Sequence, residues 1–271
     1  MIVDTHCHLN FNSFREDLPE VLQNARAAGI RRIVVPAIDI ETSREVVALN
    51  QIYSEIFSAV GVHPNEANNF TPDNINTLRV LAGEKMVVAI GEIGLDNYHK
   101  DVSIEKQVQV FKAQLTLAKE LSLPVLIHNR EADREIIEIL SDWTDELRKV
   151  KSRLVENPGI LHAFSSNMIL AEKVISLGFL IGAAGPITFR NAVDLQNVFR
   201  NLPPERVVIE TDAPFLTPHP FRGKRNEPSH CSLIVKKLAE LWEITEEKVE
   251  ETTTKNAFRI FRWKEMKTTQ L

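Results

Sequence analysis

Residues 86–96 read MVVAIGEIGLD. The run opens with five apolar residues, three of them β-branched. Unbroken apolarity of this kind marks a strand buried on both faces, as in a parallel sheet covered by helices. It then passes through Gly91 to a carboxylate, Glu92. The same form recurs along the chain. Strands are expected at 2–5, 32–37, 56–61, 86–91, 124–128, 159–163, 179–184 and 206–211. Amphipathic stretches separate them: 18–28, closed by Gly29; 42–53; a helix opened by Thr71-Pro72; 104–121, with Val108, Phe111, Leu115 and Ala118 on one face; and 132–150. Helices are also expected at 230–242 and 246–261. Eight βα units in a chain of 271 residues predict a closed α/β barrel, the (β/α)8 TIM barrel. No linker or repeat interrupts it, so residues 1–271 are expected to form one domain.

Composition agrees with a soluble globular protein: 44% of residues are hydrophobic and 25% charged. The first residues, MIVDTHCH, carry neither the basic nor the long apolar region of a signal peptide. No apolar run is long enough to cross a membrane. With only Cys7 and Cys231, no disulfide framework is expected, and a cytoplasmic, reducing location fits. A net charge of −5 argues against gripping duplex nucleic acid by a broad basic surface. It does not exclude an anionic substrate held by local cations.

A barrel of this kind places its active site at the C-terminal ends of its strands. Those ends hold His6 and His8, His63, Glu92, His128, His162 and Asp212. Five of the chain's eight histidines are among them. In a regular strand residues two apart share a face, so His6 and His8 are expected to point together and Cys7 towards the helices, as a small inert hydrophobe. By the same parity Asp4 is expected one layer deeper, orienting a ligand. Any one such histidine is unremarkable, whereas imidazoles and carboxylates delivered to one rim by separate strands point to a metal site. Without a nearby thiolate the set suits Zn²⁺, Mn²⁺, Ni²⁺ or Fe²⁺, and Mg²⁺ where a phosphate substrate adds oxygen. Six ligand positions exceed the need of one tetrahedral ion. Two divalent ions about 3.5–4 Å apart, bridged by Glu92, would use them all.

The motifs DTHCHLN, GVHPNEA, GEIGLD, LPVLIHNREA, GILHAFSS, ETDAPFLTP and RGKRNEP, in that order, resemble the TatD-related deoxyribonucleases, within the wider amidohydrolase-like metal-dependent hydrolases. The resemblance runs from Ile2 to the C-terminal helix. It implies metal ligation by His6, His8, Glu92, His128, His162 and Asp212, and places His63 at the substrate phosphate. Departures are Asn97, where the family often has Tyr, and HAFSS for HCFSG, which changes Ala163 and Ser166 beside His162.

The expected reaction is cleavage of a DNA phosphodiester by metal-activated water, 3′-5′ exonuclease in type, on a single strand or a strand end. Asp212 is the expected proton acceptor, with Glu92 sharing the role. Arg130, Arg222, Lys224 and Arg225 are the further expected phosphate contacts; from charge pattern alone the last three also fit a solvated turn. A small-molecule amidohydrolase acting on amides, lactones or esters, aminoacyl-nucleic-acid esters included, uses the same barrel and nearly the same ligands. A scaffold without catalysis is the third reading, and the full ligand set argues against it. No obligate protein partner is evident. His99 and His219 read as surface loop residues and His230 as the start of a helix. Trp143, Trp242 and Trp263 read as packing against the barrel. The cations Lys255, Arg259, Arg262, Lys264 and Lys267, against Glu265, read as a solvated face, with nucleic-acid contact as the alternative.

Overall fold

A computed structural model of the chain describes residues 1–264. Eight parallel strands form one sheet in chain order: β1 (Ile2–Asp4), β2 (Ile30–Pro36), β3 (Ile56–Val60), β4 (Val87–Asp96), β5 (Val125–Arg130), β6 (Gly159–Leu161), β7 (Leu180–Ala183) and β8 (Val207–Ile209). Closure lies just beyond the short end strands. Thr5 N–H donates to Ile209 O at 3.0 Å, Asp212 N–H to His6 O at 2.8 Å and His8 N–H to Ala213 O at 2.8 Å. The expected TIM barrel is therefore present, and the DTHCH and ETDAP segments seal it.

The helices are α1 (Leu18–Ala27), α2 (Ile40–Ile52), α3 (Pro72–Leu81), α4 (Ile104–Leu121), α5 (Asp133–Lys149), α6 (Met168–Ser176), α7 (Val193–Asn201), α8 (Cys231–Trp242) and α9 (Glu246–Ile260). Local chemistry starts several of them. Asp39 Oδ1 accepts from Thr42 N at 2.8 Å, and Thr42 Oγ1 accepts from Asp39 N at 2.9 Å, a reciprocal cap on α2. Thr71 precedes Pro72 at the start of α3, as its sequence predicts. Helices α6 and α7, nine residues each, were not among the expected elements.

Strand parity sorts the core. Val3, Val34, Phe57, Leu126, Ile160, Leu180 and Val208 pack together inside the barrel. Their neighbours Ile2, Val35, Ile56, Val125, Ile181 and Val207 pack outside, under the helices. Phe258 and Phe261, with Trp263, join the inner cluster from the C-terminal end of α9. Trp263 and Phe57 have ring centroids 4.5 Å apart, so this segment stoppers the end of the barrel opposite the strand C-termini. Arg259 bonds to Asn157 and Glu205 O, and Arg262 to Ser122 O. These cations secure the stopper and lie away from the strand ends; Glu265 and Lys267 lie outside the described residues. Trp143 and Trp242 pack as expected, each indole N–H donating to a backbone carbonyl, Leu115 O and Phe199 O.

The fourth strand runs on past Gly91, its expected end, to Asp96. Between Ile90 and Ile93 it spends one more residue than β5, since Ile90 pairs with Val125 and Ile93 with Ile127. A bulge of this kind re-aims a side chain, and here it falls on Glu92. Gly94 completes the device: its φ is +147°, and a Cβ there would lie 2.0 Å from His128 O. Gly94→Ala is expected to destabilise the fold by about 3 kcal/mol or more, read as a lower midpoint in chemical unfolding. An unchanged midpoint would contradict this account of the bulge.

Candidate metal centre

Glu92 lies at the floor of a cavity of ≈ 640 Å³ at the strand C-termini. The residue is 3% exposed, and its two carboxylate oxygens face different partners. Oε2 is 3.3 Å from His6 Nε2 and 3.6 Å from His8 Nε2. Oε1 is 2.8 Å from His128 Nδ1, 2.7 Å from His162 Nε2 and 3.5 Å from His63 Nε2. Asp212 Oδ1 completes the first group, 3.6 Å from His6 Nε2 and 3.5 Å from His8 Nε2. The two histidine nitrogens are 3.2 Å apart. Donors set tetrahedrally about 2.0–2.1 Å from one ion are about 3.3 Å from each other. The spacings of the first group, 3.2 to 3.6 Å, match the edges of such a polyhedron, and buried nitrogens and carboxylates are the donors that first-row divalent ions take. The residues fit a metal.

His63 is distinguished by its hydrogen bonding. Asn65 N–H donates to His63 Nδ1 at 3.1 Å, which leaves the ring proton on Nε2 of the neutral imidazole. Burial, reinforced by His128, lowers its pKa and keeps the ring neutral. His63 thus presents an N–H to the cavity rather than a lone pair. His128 shows the opposite arrangement. Its Nε2 is 3.3 Å from Asp96 Oδ2, and its Nδ1 faces Glu92.

Asp96, missed from the sequence, is held by the backbone N–H groups of Tyr98 and His99, both at 2.9 Å. Alternation along GEIGLD could have found it, because residues 92, 94 and 96 share a face. Glu210 was missed as well. It lies one layer below Asp212, beside His162, accepting from Ala163 N and from Thr5 Oγ1 at 3.3 Å. Burial pushes its pKa up to about 8.

The expectation for Asp4 fails. Its oxygens accept from Thr211 N and Oγ1 at 3.0 and 2.6 Å and from His6 N at 3.2 Å, beside Cys231 on the helix side of the wall. It ties the two site-bearing strand ends together by backbone and touches no ring nitrogen. Cys7 is buried among the outer apolar residues, as expected. His99 is not a bystander: it lines the cavity and its Nδ1 is 2.8 Å from Asp96 Oδ2. His230 begins α8, held by Asn226 Oδ1 at 2.8 Å.

Of the four expected phosphate cations, Arg130 alone lines the main cavity, its guanidinium 4.4 Å from the Tyr98 ring centroid. Arg222 lies over Phe189, in a separate concavity. Lys224 lies near the Phe221 ring. Arg225 forms a two-pronged pair with Asp17, at 2.9 and 2.6 Å, and stacks over Phe14. It fastens the loop to the start of α1 and is already occupied. Asn226 completes the fastening, donating to Thr211 O and Phe215 O.

The charges in the cluster are coupled. Burial favours a neutral Glu92, but His162, His6 and His63 outweigh it and hold the carboxyl well below its usual range. Burial alone would lower His162 and His128, yet Glu92 pushes His162 up to about 9, and Asp96 with Glu92 raises His128. Without metal the His162 ring holds a proton at neutral pH, and a metal must displace it. Loading near pH 7.5 is expected to release about one to two protons and to weaken as pH falls. Calorimetric titration in buffers of different ionisation enthalpy reads this directly; heats independent of buffer would contradict it.

Comparison with known proteins gives consistent results. A family model described as TatD related DNase matches residues 3–262. The metal-dependent hydrolase YabD of Bacillus subtilis is 41% identical over 97% of this chain and 99% of its own length. The 3′-5′ ssDNA/RNA exonuclease TatD of Pectobacterium atrosepticum is 31% identical over 96% of this chain and 98% of its own. The crystal structure of YjjV, a TatD homologue from Escherichia coli, superposes with a TM-score of 0.89 at 30% identity, covering 97% of this chain and 98% of that one.

Proposed function

The chain belongs to the TatD-related family of metal-dependent hydrolases, and we propose that it is a nuclease that removes nucleotides from the 3′ end of single-stranded DNA. The observation that carries this is Glu92, one oxygen turned to each of two donor groups at the floor of an open cavity. His6, His8 and Asp212 would hold one divalent ion and His128 and His162 a second, with Glu92 between them. Bound there, divalent ions supply Lewis acidity that eases deprotonation of water and neutralises charge on a phosphodiester oxygen.

The remaining steps belong to the chain's own side chains. Asp212, on the cavity lining, is ionised at neutral pH: burial opposes this, but His8 and His6 outweigh it. Its free oxygen accepts the proton of the attacking water. His63 Nε2–H donates to a non-bridging phosphate oxygen, and Arg130 at the rim offers its guanidinium fork to the same group. Asp96 holds His128 in the tautomer that turns Nδ1 inwards.

The depth of Glu92 supports a strand end as substrate. A phosphodiester must descend below the rim to reach it, which a free end does and a stacked duplex does only after unpairing. No helix among the described residues is long and apolar enough to cross a membrane. The name of the Pectobacterium relative supports a nucleic-acid substrate.

One side of the cavity favours a second reading. Phe11, Ile38, Phe215 and Leu216 make it apolar, which suits the acyl group of an ester, such as an aminoacyl-nucleic-acid ester. One assay separates the two: metal-stripped protein with Mg²⁺, Mn²⁺ or Zn²⁺ restored, given 3′-labelled single-stranded DNA, beside His6→Ala. Metal-dependent shortening that His6→Ala abolishes is the expected result. Metal binding with intact DNA would transfer the proposal to ester and amide substrates.

A further inference from the structure

A second concavity of ≈ 400 Å³ opens on the same rim, lined by Phe189, Arg190, Asn191, His219 and Arg222. The loops that follow β7 and β8 contribute to both hollows. Pro186 and Leu216 line the main cavity, while Phe189 and His219, three residues further along each loop, line the second. The two loops are closely joined. A Cβ on Gly185 would lie 1.8 Å from Leu216 O, and His219 N–H donates to Thr188 Oγ1 at 2.8 Å. The hollows are therefore held side by side.

The chemistry of the second hollow is cationic and uncommitted. The Arg222 guanidinium lies 4.1 Å from the Phe189 ring centroid, a contact that orients the fork without neutralising it. Neither Arg190 nor Arg222 is in an ion pair among the described residues, whereas Arg225 of the same loop is paired with Asp17. Asn191 and His219 add polar groups. On the β8 loop Phe215, 52% exposed, stands at the rim of the main cavity. Cations that follow a backbone, beside aromatic faces on which bases lie, are how proteins hold single strands.

We propose that this pocket takes a backbone phosphate of a single nucleic-acid strand, beyond the one being cut, while a base between the two lies on Phe215. The inference rests on the nuclease reading above and extends it: the substrate is an oligonucleotide held at more than one phosphate, not a dinucleotide. Two arginine forks on one phosphate give charge-assisted, two-pronged hydrogen bonds. Both arginines are exposed and, among the described residues, without carboxylate partners, so replacing them leaves no buried charge behind.

The test compares the metal-loaded protein with an Arg190→Gln/Arg222→Gln double variant on thymidylate strands of two to eight residues. In the unaltered protein kcat/KM is expected to climb about tenfold or more once the strand is long enough to reach the pocket. The double variant should lose that climb, and the log–log dependence of its KM on salt should flatten by about 0.7. An equal climb in both proteins overturns the inference. Binding of a fluorescein-labelled ten-residue strand with a non-hydrolysable 3′ linkage keeps the two proposals apart. If no nucleic acid is cut, the nuclease reading falls, yet binding about fivefold weaker in the variant still supports the pocket. Equal binding overturns the pocket whether or not DNA is cut.

Discussion

Glu92→Gln is expected to lower kcat/KM on single-stranded DNA by about 10³-fold or more, about 4 kcal/mol of transition-state stabilisation, and to cost the protein at least one of the two ions proposed for this site. The amide keeps the volume of the carboxylate, so packing gives no reason for a loss of this size. Charge and donor number do. Glu92 turns an oxygen to each donor group, and four of the five site imidazoles lie within 3.5 Å of one of its oxygens. An amide offers one oxygen instead of two and no charge. The cluster would then be several histidines around a neutral group, and His162 would lose the partner that raises its pKa. Metal content by emission spectrometry, read beside the rate, checks the mechanism. A Gln variant that keeps both ions and near-normal turnover would remove Glu92 from the bridging position.

Asp212→Asn is expected to have the second largest effect, a fall in kcat of about 10³-fold, with KM nearly unchanged. Backbone strain does not confound it: Asp212 has φ +55°, a conformation that Asn adopts as readily as Asp. The amide oxygen can still lie beside His6 and His8, but it cannot hold the proton taken from water. The alkaline side of the pH–rate profile should then follow hydroxide concentration, because the base has been removed. Retention of kcat with a raised KM would instead make Asp212 a substrate-binding residue.

The legible part of this protein was the part ruled by local periodicity. Runs such as MVVAIG and PVLIH disclose buried parallel strands, and the residue types at their ends single out the barrel mouth. Parity along a strand was less secure. Val3 faces the barrel interior, so a regular strand would turn Thr5 inwards and His6 outwards. The ladder of β1 stops at Asp4, the chain kinks, and His6 and His8 reach the mouth while Asp4 is turned towards Cys231. The bulge at Glu92 is a similar break, and a pattern of period two does not announce it.

Partners distant in sequence were the other obstacle. Arg225 looked free because Asp17 lies at the opposite end of the chain. Arg190, which lines the second concavity together with Arg222, carried no motif. Asp96 and Glu210 went unread because each shares a strand end with a more conspicuous residue, Glu92 and Asp212, although both share its parity.

Glu92 is proposed to stand between two metal ions. Crystals of the Mn²⁺-loaded protein, measured at the manganese absorption edge, test it most directly. Two anomalous peaks are expected on either side of the Glu92 carboxylate, one against His6, His8 and Asp212 and the other against His128 and His162, with His63 Nε2 bound to neither. A single peak, or two peaks with Glu92 outside both coordination spheres, would contradict it.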